Sequence, residues 1–213
     1  MSEQGRSVAL RGRSMSRTTG VIAMIAIGAW PLVAVGRLVG QRNAVTSPLG
    51  DQALLEMGAR RAMHLQELVG PYSRFGWHHP GPALFYVLAL PTWLFGSGPG
   101  ISVGTALING AAAVATVAYV WRRWGGVPAL WASAALSGLC LGLSFFDLLY
   151  PWNPDVLALP IVAFTVLWAD AVRGHVTALV WAAVLGSFVV QAHISTAPFV
   201  LVMIVAAVLS ALV

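Results

Sequence analysis

The sequence predicts an all-α, polytopic membrane helical bundle, and three observations predict it. Hydrophobic residues make up 58% of the 213 residues and charged residues only 9%, against about 25% charged in an ordinary soluble domain. Mean hydropathy is +0.80. The apolar residues also come in continuous runs near the roughly 20 residues that a spanning helix needs. Lipid admits only helices or closed barrels, and continuous runs without alternation select helices. Cys140 is the single cysteine, so no disulfide framework forms within the chain. The net charge of +5 comes from twelve arginines and no lysine. In this setting a basic balance reads as topology signals and phosphate contacts, not as nucleic-acid binding.

Residues 1–19 read as a basic cytoplasmic tail carrying Arg6, Arg11, Arg13 and Arg17. The run 20–40 follows at once. It is long for a secretory signal and no small-residue cleavage site follows it, so it reads as an uncleaved first span. Residues 41–81 are the one long polar stretch. Within it "DQALLEMGARRAMHLQELVG" (51–70) reads as a helix, with Asp51 at its start and Gly70-Pro71 ending it. Gln52, Glu56, Arg60, His64 and Glu67 would share one polar face, as in a helix lying on a membrane surface. The run 82–96 is short and contains Pro91, which suits a second juxtamembrane helix better than a span. Clearer spans follow at 101–121, 127–149, 156–172, 175–190 and 195–213.

Arginine counts favour the same layout. If 82–96 does not span, Arg122, Arg123 and Arg173 join the four tail arginines inside, leaving Arg42, Arg60, Arg61 and Arg74 outside. If it spans, the balance inverts. The positive-inside rule selects about six spans, with two juxtamembrane helices in the first outer loop. Four polar stretches then face outward: "GDQALLE" (50–56), "GPYSRFGWHHPGP" (70–82), "YPWNPD" (150–155) and "QAHIS" (191–195).

Each of these stretches has a structural and a functional reading. Asp51 suits a helix N-cap and equally a general base. Arg74 suits headgroup snorkelling with aromatic neighbours, or a phosphate clamp. His78 and His79 are adjacent and do not share a helix face, so a metal centre finds no support. They fit hydrogen bonding to a phosphate or sugar, or packing at a proline-fixed turn. Tyr150, Trp152 and Asn153 sit in a turn before a helix that Asp155 would cap, or line a sugar or lipid-phosphate pocket, for which Tyr72 and Trp77 are candidates too. Gln191 and His193 are polar groups beside apolar runs, placed for function or for helix–helix bonding. Asp147 lies on the outer side as a weaker candidate, and Asp170 on the inner side as a structural one. No P-loop, dinucleotide fingerprint or nucleophile elbow is present, and no internal repeat marks an inverted-repeat transporter.

In order and spacing these motifs resemble the N-terminal module of GT-C superfamily membrane glycosyltransferases from residue 20 onward. "GDQALLE" resembles the acidic motif of their first outer loop. "HHPGPALFYVLALPTWLFG" (78–96) resembles the proline-rich segment with its second juxtamembrane helix. "NGAAAVATVAYVWRRWGG" (109–126) resembles the next span with its basic turn, and "YPWNPDVLALP" (150–160) a later outer-loop motif. "YSRFGWHHPGP" closely resembles a bacterial branch. The resemblance implies a polyprenyl-phosphate-linked sugar as donor, a cell-envelope acceptor and a cytoplasmic-membrane location. The residues themselves call for no cofactor, and a divalent metal finds no support in the sequence. It makes Asp51 the candidate base, with Arg74, His78 and His79 on the donor phosphate. The sequence departs from the family in two places. Gln52 stands where a second carboxylate is usual, with Glu56 one turn on as its candidate substitute, and the lysine of the proline-rich segment is missing. Val213 lies inside an apolar run, where family members continue, so the expectation extends to a truncated or inactive module. A non-enzymatic lipid-binding or transporter-like membrane protein is the alternative from another class.

Overall fold

Side chains that are apolar on every face leave a helix no polar side to turn to water, so such helices must pack on one another or on lipid. The structure, a computed structural model, describes residues 3–40, 49–143 and 148–211. Among these the chain is helical without strands: α1 (Glu3–Gly40), α2 (Asp51–Ala62), α3 (Ala83–Phe95), α4 (Pro99–Trp124), α5 (Gly126–Gly142), a short α6 (Asn153–Val156), α7 (Ala158–Ala171), α8 (Val176–Ala192), a 3-10 turn (Ile194–Thr196) and α9 (Ala197–Ala211). Three helical stretches, Arg17–Leu38, Pro99–Trp124 and Asn153–Ala171, are long and apolar enough to cross a membrane, and α3, α5, α8 and Ile194–Ser210 are apolar but shorter. The flanks carry outward-facing Leu32, Trp131, Leu141, Trp181 and Val202. A surface so apolar matches lipid better than water.

The α4 helix is the central post. It runs antiparallel to α1. Gly20 lies against the Trp121 ring and Gly110 against Pro31, each where a methyl group would overlap its neighbour. Ser133 of α5 donates to the Ala23 carbonyl of α1 at 3.1 Å. One core joins α1, α4, α5 and α7 through Ile27, Val117, Leu136 and Leu159. A second joins α2 and α3 to α6–α9 through Leu55, Leu84, Leu88, Phe164 and Val189. Asn109, fully buried on α4, links the two halves. Its amide donates to the carbonyls of Leu148 (3.3 Å) and Asp155 (3.1 Å). Its Oδ1 accepts from the Leu159 N–H at 3.1 Å, one of the donors that the first turn of α7 leaves unpaired.

The predicted helix over 51–70 is shorter than expected. It stops at Ala62, and Leu65 takes a positive φ of 57°. The cause is Glu67. It folds back to accept two bonds from the Arg61 guanidinium, at 2.6 and 2.8 Å, and is itself buried. A two-pronged arginine–carboxylate pair is strong and directional, and it can form only if the chain reverses. His64 and Glu67 therefore leave the polar face predicted for them. Gly50, not Asp51, is the N-cap, and no side chain caps the helix. Asp155 lies inside α6, whose N-cap is Trp152.

The ends of the bundle differ in chemistry. At one end lie Asp51, the 70–79 segment, the start of α6 and the α8–α9 break. At the other, Asp170 is buried and accepts from Tyr119 Oη (2.6 Å) and Arg123 Nε (2.8 Å), with His175 beside both. Asp147 falls outside the described residues.

Candidate functional site

Residues 70–79 form a small hairpin. The Gly70 N–H donates to the His79 carbonyl (2.8 Å), the His79 N–H to Pro71 (3.0 Å) and the Ser73 N–H to Trp77 (2.8 Å). The Gly76 N–H closes the tip onto the Ser73 carbonyl at 3.0 Å, and Gly76 adopts φ 86°, which glycine tolerates without strain. Gly81 lies against the Gln191 side chain, so the leg of the hairpin rests on the end of α8. The tip is thereby held over a cavity of about 680 Å³, with α2 on one side and the α6 and α8–α9 junctions beneath.

Of the residues that the sequence nominates, Asp51, Tyr72, Arg74, Trp77, His79, Trp152, Asn153 and His193 line this cavity together. Asp51 and Arg74 are the charged residues in its lining, and both are exposed. The Arg74 guanidinium rests on the Phe75 ring at 5.1 Å from its centroid, which holds it without neutralising it. Trp152 is half-exposed, and Asn153 is buried with its amide donating to the Ala192 carbonyl at 3.3 Å. That bond satisfies a C-terminal carbonyl of α8 and fixes the floor.

Two imidazoles complete the floor, with ring centroids 4.6 Å apart. His79 is buried, and its Nδ1 accepts the Ile194 N–H at 3.2 Å, which leaves the proton on Nε2. Burial lowers its pKa to about 4, helped by His193 and His78. Burial also lowers that of His193, whose Nδ1 lies 2.6 Å from Ser195 Oγ. At neutral pH the floor is therefore uncharged and can donate or accept without repelling Arg74. The unfolded chain binds the His79 proton near pH 6.5 and the folded chain only near 4. The stability this ring contributes is complete above about 6.5 and falls as the pH drops through that window. We expect its imidazole NMR shifts to stay at neutral values down to pH 5, and an ordinary titration near 6.5 would show that the hairpin is not docked.

The other nominated residues lie outside the cavity lining. His78 donates from Nδ1 to the Gly70 carbonyl at 3.0 Å and meets Tyr72 edge-on. Gln191 donates to Ser187 Oγ at 3.0 Å and supports Gly81. Tyr150 sits just ahead of the floor, its carbonyl accepting from the Trp152 N–H at 2.8 Å. Glu56 is buried and accepts from the Gly98 N–H at 2.8 Å and from Arg60 at 2.9 Å. Burial opposes its charge, yet the bonds from Gly98, Ser97 and Arg60 outweigh that and hold its carboxyl below the usual range. It clasps α2 to the start of α4. Glu56→Ala strands the Gly98 N–H and should cost about 1–3 kcal/mol in a denaturant melt.

Ser73, Phe75 and Ser195 line the cavity without having been singled out, as do Leu54 and Leu55. The two leucines stand three and four positions after Asp51, the spacing that puts them on its helix face. Among the described residues, no three His, Cys, Asp or Glu side chains converge as a metal centre would need. No known protein family, curated protein or solved structure matches the chain.

Proposed function

We propose that the chain is a membrane glycosyltransferase of the kind its motifs resemble. It moves a sugar from a polyprenyl-phosphate donor to a cell-envelope acceptor at the outer face of the cytoplasmic membrane. The observation that carries this reading is the convergence of Asp51, Arg74 and a floor of rings on one cavity. In the reaction, Arg74 holds the donor phosphate, and Trp77 and Trp152 flank the sugar. The Asp51 carboxylate takes the proton of the acceptor hydroxyl as its oxygen attacks the anomeric carbon. The carbon–oxygen bond to the phosphate breaks, its electron pair leaves with polyprenyl phosphate, and the configuration inverts. His79, neutral with its proton on Nε2, offers a donor without adding charge.

The same convergence supports the six-span topology. The stretches at 50–56, 70–82, 150–155 and 191–195 reach one cavity, whereas Arg122, Arg123 and Arg173 gather at the opposite end, as the positive-inside rule places them. Kinetics test the clamp. Arg74→Ala should raise the KM for the lipid-linked donor about tenfold, the worth of a charge-assisted phosphate bond at an exposed site. An unchanged KM would remove Arg74 from donor binding.

A further inference from the structure

On the flank of the bundle a second cavity of about 590 Å³ opens between α4, α7 and α8. Ile108, Ala115 and Arg122 line it from α4, Leu167 from α7, and Trp181 and Phe188 from α8. From Ile108 to Arg122 it follows the post for about 21 Å, at 1.5 Å per residue. That exceeds the depth of one leaflet's hydrocarbon, about half of the 30 Å core. The polar groups along it are already engaged. Thr116 donates to the Ala112 carbonyl at 2.7 Å and Tyr119 to Asp170 at 2.6 Å. The exception is the guanidinium at its end: Arg122 is exposed and forms no ion pair among the described residues, while its neighbour Arg123 is committed to Asp170.

From these observations we infer that the groove is a binding site for an anionic membrane phospholipid, with its phosphate on Arg122 and an acyl chain along α4 and α8. A helix from another protein would meet the same apolar walls but need not bring an anion to Arg122. A lipid headgroup gives that cation its counter-charge where the groove reaches the basic end of the bundle. The inference rests on the membrane reading and not on sugar transfer. It assigns the groove to a lipid whose headgroup lies at the end opposite the catalytic cavity.

Native mass spectrometry of the detergent-purified full chain tests it, with phosphatidylglycerol and phosphatidylcholine of identical acyl chains titrated in turn. Phosphatidylglycerol should bind about fivefold more tightly, the attraction of one arginine for an anionic headgroup. Arg122→Gln should abolish that preference, weakening phosphatidylglycerol more than phosphatidylcholine, whose phosphate is already balanced by its own quaternary ammonium. Arg173→Gln, at an exposed arginine outside the groove, should keep the preference. Ala115→Phe, which fills the middle of the groove, should weaken both lipids alike. Equal affinities in the unaltered protein would overturn the assignment, as would a preference that survives Arg122→Gln. Both outcomes can be read whether or not Ala115→Phe folds.

Discussion

If the chain transfers sugar as proposed, replacing Asp51 by Asn should lower that transfer by roughly 10²–10⁴-fold, the contribution of a positioned general base, and leave the fold intact. The second half of that expectation follows from where Asp51 sits. It is the first residue of α2, exposed, with no side chain capping the helix. Its structural contribution is the attraction of a carboxylate for a helix N-terminus, about 0.3–1 kcal/mol. Asn keeps the size and polarity of the side chain and loses only the charge. A normal melt with transfer reduced by orders of magnitude therefore separates chemistry from folding. A non-enzymatic lipid-phosphate binder would instead bind the donor equally well with either residue and transfer nothing with either. An Asp51→Asn protein that transfers at the full rate would remove Asp51 as the base.

The second large effect is structural. Asn109→Ala should cost about 2–4 kcal/mol, measured by denaturant or thermal unfolding in detergent. One side chain satisfies the Leu148 and Asp155 carbonyls and the Leu159 N–H. Its loss strands three backbone groups where water is scarce. Asn109→Leu should be no milder, because restoring volume does not restore the bonds. The loss should also reach the site, since Asp155 stands two residues after Asn153 of the floor. A cost below about 0.5 kcal/mol would mean that water or rearranged backbone replaces Asn109, as happens at weak interhelical contacts.

Much of this architecture is legible from local pattern. Apolar runs locate α4, α7 and α8 to within a few residues, and the short, proline-bearing run at 82–96 becomes α3. Counting arginines and alternating sides gives the expectation that Asp51, Arg74, Trp152 and His193 share one face, and the four line one cavity. What the sequence hides is set by partners far along the chain. The early end of α2 depends on the Arg61–Glu67 pair. The bond that Glu56 accepts from Gly98, 42 residues on, has no local signature. The pairing of His79 with Ile194 spans 115 residues. Periodicity says which face a residue occupies, and it says nothing of which neighbour will cover that face. Asn109, a polar residue within an apolar run, does carry a readable signal, because an amide at such depth must find partners.

Site-directed thiol labelling tests most directly the claim of one outward-facing site. Single cysteines would replace the exposed Phe75, Trp152, Ser195 and Arg173 in a Cys140→Ala background. Intact cells would then meet a membrane-impermeant thiol reagent. The account predicts labelling at positions 75, 152 and 195 in intact cells, and at 173 only after the membrane is opened. Labelling at 75 with protection at 152 and 195 would place the cavity's walls on opposite sides of the membrane and contradict the single site.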